Sequence, residues 1–263
     1  EVLRERNFDV LQGKRVGLCT NPTGVDRNLV SKIDILWEAD NVNLVALYGP
    51  EHGVRGNIYA GDHVDNEVDA RTGLKMYSLY GKTSKPTQEM MAGIDVMVYD
   101  IQDVGVRSYT FISTLGLVME ACGEKGIEVM VLDRPNPLGG NKIEGCFVEP
   151  GFFSFVSQYE IPYVYGLTVG ELAVMINQEG MNRGQKGNQT PAKCKLTVVP
   201  MEGWTRDMLY EDTGLPWVLP SPNIPFKDTP MYYAAAGICG ELYGFMNIGI
   251  GYTLPFQVFG ATW

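Results

Sequence analysis

Four short apolar runs, continuous rather than alternating, limit what this chain can fold into. Lys14–Thr20 (KRVGLCT), Val42–Tyr48 (VNLVALY), Ile94–Tyr99 and Ile127–Leu132 (IEVMVL) are all of strand length. Continuous hydrophobicity is expected of strands buried on both faces of a parallel sheet, whereas a half-exposed strand alternates. Helical patterns separate them. Leu29–Ala39 is one, a short segment around Met90 is a second, and Ser108–Cys122 is the clearest, with Phe111, Leu115, Val118 and Cys122 at helical spacing. A fourth opens with Thr168-Val-Gly-Glu171, the pattern of a capping box, and stops at Gly180. Strand–helix alternation predicts an α/β fold built on an open, mostly parallel sheet.

Residues Gly180–Lys193 lose apolar periodicity and read as a linker, after which Cys194–Met201 resumes as a strand and Leu215–Pro230 is rich in proline. The expected division is a first domain over 1–190 and a smaller second domain over 191–263, cut short at Trp263. Nothing in the 263 residues approaches the roughly 20 apolar positions of a membrane span. The balance of 21 Lys+Arg against 31 Asp+Glu, a net charge of −10, leaves no basic stripe for nucleic acid. Five scattered cysteines without a C-x-x-C pair form neither a disulfide framework nor a zinc ribbon. The first residue is Glu1 rather than Met, so either a leader has been removed or the chain starts at an internal boundary.

Every run gives way to a polar cluster: Asn21-Pro-Thr-Gly24, Gly49-Pro-Glu-His-Gly53, Asp100-Ile-Gln-Asp-Val-Gly105 and Asp133-Arg-Pro-Asn-Pro137. Ligands of open parallel sheets bind outside the carboxyl ends of the strands. Asn21, Glu51, His52, Asp100, Asp103 and Asp133 are therefore expected along one rim. In Gly49-Pro-Glu-His-Gly53 the glycines and Pro50 predict a tight turn presenting Glu51 and His52. A carboxyl group in such a crevice can serve as general acid, or can satisfy backbone amides. Asp103 would supply the second carboxylate that glycoside hydrolysis requires; equally, Asp103 and Arg107 could form a buried structural ion pair. The Asp133–Pro137 loop suits holding a sugar hydroxyl or bracing the rim. Glu51 and His52 with Asp62, His63 and Asp65 could gather a divalent metal, though the spacing fits no established motif. Gly249-Ile-Gly251 is a lone G-x-G, so no nucleotide cofactor is expected. No G-x-S-x-G elbow or Walker loop appears.

With those residues in view, the chain resembles a bacterial family of exo-acting β-N-acetylmuramidases of cell-wall turnover, once filed as a domain of unknown function. Six collinear segments carry the resemblance: Leu18–Val25, Tyr48–Arg55, Asp100–Thr110, Asp133–Gly139, Pro220–Pro225 and Thr253–Phe256. It implies a Rossmann-like first domain, a smaller α+β second domain, no cofactor and no metal. It also implies a muropeptide or amino-sugar substrate and a periplasmic or extracellular place of action. Glu51 matches the family's proposed catalytic glutamate. His52, Asp103, Arg107, Tyr109, Asp133, Asn136 and Asn223 are cleft candidates by the same resemblance, beside Asn21 and Asp100. Glu241 matches a further family glutamate, whereas Ile250 stands where the family carries arginine, which implies a different sugar preference. Two other classes fit the residues: a metal-dependent hydrolase using His52, His63 and nearby aspartates, and a non-catalytic peptidoglycan-sugar-binding protein.

Overall fold

A computed structural model describes residues 1–56, 67–179, 193–242 and 244–261. Seven strands form one sheet: β1 (Arg15–Thr20), β2 (Asn43–Gly49), β3 (Glu67–Val68), β4 (Lys75–Ser78), β5 (Val96–Asp100), β6 (Glu128–Leu132) and β7 (Leu196–Val199). Their order is β3-β4-β2-β1-β5-β6-β7. Only the β3–β4 pair is antiparallel; β4, β2, β1, β5, β6 and β7 run parallel. Leaving out the two-residue β3 and counting the parallel strands in chain order gives 3-2-1-4-5-6, the doubly wound order of the Rossmann fold. The direction of winding reverses between β1 and β5, and there the carboxyl ends open a crevice.

The strands carry side chains to two apolar layers because both faces of the sheet are covered. Cys19, Tyr48, Met97, Tyr99, Val129 and Val131 pack on one face, under α3 (Phe111–Lys125) and α4 (Val169–Glu179). Val16, Leu18, Leu47, Val98 and Met130 pack on the other, under α1 (Val2–Glu5) and α2 (Lys32–Trp37). Alternate residues of β1 and β5 therefore face opposite layers, and every residue of β5 and β6 is buried. The expected α/β architecture is present.

Local chemistry sets the helix ends. The capping box at Thr168 forms as expected: the Thr168 amide donates to Glu171 Oε2 at 2.9 Å and the Glu171 amide to Thr168 Oγ1 at 3.2 Å. In α2 the first expected turn is absent, because Leu29 holds φ 63° and Ser31 caps the helix by accepting the Ile33 amide. The residues around Met90 form a turn rather than a helix.

The expected boundary near residue 190 lies outside the described residues, but the sheet continues past it. β7 is a half-buried edge strand that pairs with β6 over four residues, where its backbone groups find their ladder partners. Beyond β7 the described residues hold α5 (Thr229–Ala236) and short 3₁₀ turns. This segment shares an apolar cluster with loops of the sheet: Ile224, Ala236, Ile248 and Phe256 meet Val104, Val106, Leu138 and Val164. All five cysteines are free, and among the described residues no helix is long and apolar enough to cross a membrane.

Candidate functional site

The turn after β2 forms as the glycine and proline pattern predicts. The Gly53 amide donates to the Pro50 carbonyl at 3.0 Å, which places Glu51 and His52 at the two central positions. His52 has φ 73°, the left-handed conformation that the third residue of such a turn demands. A β-carbon disfavours that conformation, so local strain is held at this corner by its surroundings. His52 is buried and Glu51 half-buried. Thr110, which leads into α3, donates its hydroxyl to Glu51 Oε2 at 3.2 Å. The phenol of Tyr80, two residues beyond β4, is pushed up to about 12 by burial and by its contact with Glu51. Glu51 thus stands over the α3 face of the sheet, between hydroxyl donors.

Asp103 follows β5 and is buried. One of its oxygens accepts the Gly105 amide at 2.8 Å and the Tyr165 hydroxyl; the other oxygen is buried and makes no hydrogen bond within the described protein. Burial pushes its carboxyl up to about 6, with the Tyr165 and amide donors opposing the rise. Among the described residues no cation pairs with it, so nothing offsets the desolvation as an arginine would. Gly105 is required here: at φ 80°, an added β-carbon would lie 2.3 Å from Asn136 Oδ1.

Tyr109 lies within electrostatic reach of both carboxyl groups. Its phenol is raised well above the ordinary value by burial, and Asp103 and Glu51 both add to that rise. Ser221 lies near enough to oppose the rise, although the two hydroxyls do not meet hydrogen-bond geometry. Tyr109 packs edge-on against Phe111 and Tyr233, and Tyr233 against Phe256, so α5 and the last described turns wall the site. Ser108 joins the hydroxyls of Tyr163 and Tyr233, each at 3.0 Å.

The remaining candidates divide by what already engages them. Arg107 makes no ion pair with Asp103; its guanidinium donates to the carbonyls of Cys146 at 2.6 Å and Ile161 at 2.5 Å and lies over the Tyr163 ring. The ion-pair expectation fails because those carbonyls, drawn in by the 140–165 loop, reach the guanidinium first. Asn136 closes its own loop, accepting the Leu138 amide at 2.9 Å and donating to the Leu167 carbonyl at 2.9 Å. Asn21 accepts from the Thr23 amide and hydroxyl. Asn223 is half-buried beside Ser221, on the segment that approaches Tyr109. Asp133 caps α4, accepting from Thr168 Oγ1 and the Gly170 amide, and burial raises its carboxyl above the usual range. Asp100 accepts Arg134 Nε at 2.6 Å and faces Lys32 at 3.9 Å.

Asp62, His63 and Asp65 lie outside the described residues, as does the side chain of Glu241; Ile250 is exposed in a turn. Among the described residues no three histidine, cysteine or acidic side chains converge on a metal-sized point. Tyr80, Thr110 and Tyr165 are site residues that sequence reasoning missed. A tyrosine two residues beyond β4 would have been a signal had that strand been recognised.

Residues 16–228 match a family model described as the amino-terminal region of the exo-β-N-acetylmuramidase NamZ. A protein of Bacillus subtilis (strain 168), described as peptidoglycan β-N-acetylmuramidase NamZ, is 49% identical over 251 residues, covering 95% of this chain and 58% of that protein. Two solved structures from Bacteroides fragilis NCTC 9343, both described as DUF1343 family proteins, share the fold. One is 59% identical with a TM-score of 0.91 over 100% of this chain; the other is 35% identical with a TM-score of 0.80 over 97%. The chain spans 64% of the length of each, so it is shorter than all three relatives. With the family model matched over most of its length, the chain belongs to the NamZ exo-β-N-acetylmuramidase family.

Proposed function

We infer that this protein is a glycoside hydrolase that releases N-acetylmuramic acid, or a related amino sugar, from the non-reducing ends of peptidoglycan fragments. The observation that carries the reading is the pair of carboxyl groups, Glu51 and Asp103, both within electrostatic reach of Tyr109 and both partnered by hydroxyls and amides. Glu51, presented on its strained turn, gives its proton to the glycosidic oxygen as the bond to the leaving group breaks. Positive charge then develops on the ring and is opposed by the Asp103 carboxylate. Water adds to the anomeric carbon in place of the leaving group, and its proton passes to solvent, from which Glu51 is reprotonated. Asp103, at about 6, is ionised above that pH and loses this role below it. Tyr109, His52 and Asn223 position the sugar, while Arg107, Asn136 and Asn21 hold the loops that carry those groups. No cofactor enters this scheme, and its substrate places the enzyme in the periplasm or outside the cell.

The test is hydrolysis of a chromogenic N-acetylmuramide by the wild type and by Glu51→Gln. Loss of a positioned general acid lowers kcat by roughly 10²–10⁴-fold. Full activity in the variant overturns the assignment of Glu51.

A further inference from the structure

The register of the sheet sets Tyr80 beside Glu51. β2 and β4 run parallel with Gly49 opposite Ser78, and the pairing continues one step further, the Leu79 amide donating to the Gly49 carbonyl at 2.8 Å. Glu51 and Tyr80 each stand two residues past that registered pair, so the turn after β2 and the exit of β4 lie side by side. Ser78 fixes the Tyr80 backbone: its hydroxyl donates to the Tyr80 carbonyl at 2.9 Å and accepts the Tyr80 amide at 3.2 Å. The ring is half-buried, and its phenol reaches the Glu51 carboxyl as a hydrogen-bond partner. Thr110 approaches the same carboxyl from the other side, at 3.2 Å from Oε2.

Burial and the neighbouring carboxyl push the Tyr80 phenol up to about 12, so it keeps its proton throughout the neutral range and donates to an ionised partner. A donor so placed has two effects on a general acid. It holds in one orientation a long side chain that would otherwise sample several, and the proton is delivered only from the productive one. It also strengthens as the proton leaves, because a hydrogen bond to a carboxylate is roughly twice as strong as one between neutral groups. An interaction that grows in the transition state raises kcat rather than tightening substrate binding. The Thr110 hydroxyl rotates and can accept as well as donate, so it does not fix that direction alone.

We propose that Tyr80 is a positioning residue for Glu51: its phenol orients the carboxyl toward the glycosidic oxygen and stabilises the carboxylate left when the proton is given up. The role rests on the reading of Glu51 as general acid. Tyr80 keeps its own proton and touches no reacting atom. The O–H bond that breaks belongs to Glu51, and the one that forms lies on the departing sugar.

The experiment compares two leaving groups. A disaccharide with N-acetylmuramic acid at its non-reducing end expels a sugar oxygen that must be protonated, whereas a dinitrophenyl N-acetylmuramide expels a phenolate that is stable without a proton. kcat and KM are measured on both for the wild type, Tyr80→Phe, Glu51→Gln and the double variant. Tyr80→Phe is expected to lower kcat on the disaccharide by about tenfold or more and on the aryl glycoside by less than about threefold, with KM unchanged. On the disaccharide the double variant should be no slower than Glu51→Gln, since a group that works through Glu51 has nothing left to position. The ratio of the two kcat values does not depend on how much of a sample is folded, so partial misfolding of Tyr80→Phe leaves the test intact. Full disaccharide activity in Tyr80→Phe, equal loss on both substrates, or a further loss in the double variant overturns the proposal while Glu51→Gln reports separately on the general acid. Full disaccharide activity in Glu51→Gln, or a wild type that hydrolyses neither substrate, overturns the general-acid reading and the role of Tyr80 with it.

Discussion

Two carboxylates at the end of β5, three residues apart, meet opposite fates. Asp100 ends the strand on the α2 side with Arg134 at 2.6 Å and Lys32 at 3.9 Å. Asp103 turns to the α3 side, where its partners are the Tyr165 hydroxyl and the Gly105 amide. Two cations set against a buried carboxylate make it one member of a charged cluster, tied in place by its partners. Hydroxyl and amide donors offset burial only in part, which leaves Asp103 at about 6, where a proton can come and go. The same residue type thus becomes a structural anchor or a titrating group according to which face of the sheet it enters.

The harshest way to break this contrast is Asp100→Ala. It leaves Lys32 and Arg134 buried together without their counter-charge. Removing one partner of a buried charged cluster costs about 3–5 kcal/mol, read as a lower urea midpoint at pH 7. A midpoint unchanged by the substitution would mean that the cations are not anchored by Asp100 at all.

Asp103→Asn should act in the reverse direction on stability. Between the unfolded value near 3.8 and the folded value of about 6, the native state holds the proton more tightly than the unfolded chain. Stability from this group is therefore fully present below 3.8 and falls as pH rises through that window, a cost of about 3 kcal/mol above it. Asparagine mimics the protonated form and escapes that cost. The variant should melt higher than the wild type at pH 7.5, match it at pH 4, and lose most of its hydrolytic activity. A thermal midpoint difference that does not vary with pH would sink the linkage.

Much of the sheet was legible because strands buried on both faces announce themselves as continuous apolar runs. All four runs became strands, shortened or shifted by one or two residues at their ends. β4 escaped because KMYS is short and half-exposed, with Lys75 and Tyr77 breaking the apolar signal. α5 escaped because its residues are apolar all round, although Asp228-Thr-Pro230 is a fair helix start. At the site, the turn around Glu51 was readable since its geometry is decided within five residues. The partners of Arg107 were not, because Cys146 and Ile161 lie 39 and 54 residues away along the chain. Equally hidden was the split of Asp100 from Asp103: sequence puts both on one rim, and only the face each enters separates them.

The finest probe of that split is Tyr165→Phe, which leaves Asp103 in place and removes one donor to its ionised form. The Gly105 amide remains at 2.8 Å, so the carboxylate is weakened rather than stripped. A hydrogen bond of this kind is worth about 1 kcal/mol, which corresponds to well under one pH unit to about one. Since the lost donor favoured the charged form, the Asp103 value moves up from about 6, and the acidic limb of the pH–kcat profile should move up with it. Activity at pH 6 then falls while activity at pH 8 is nearly kept, a pattern that simple loss of packing would not give. If the limb stays where it was, the titration that sets it belongs to a group other than Asp103.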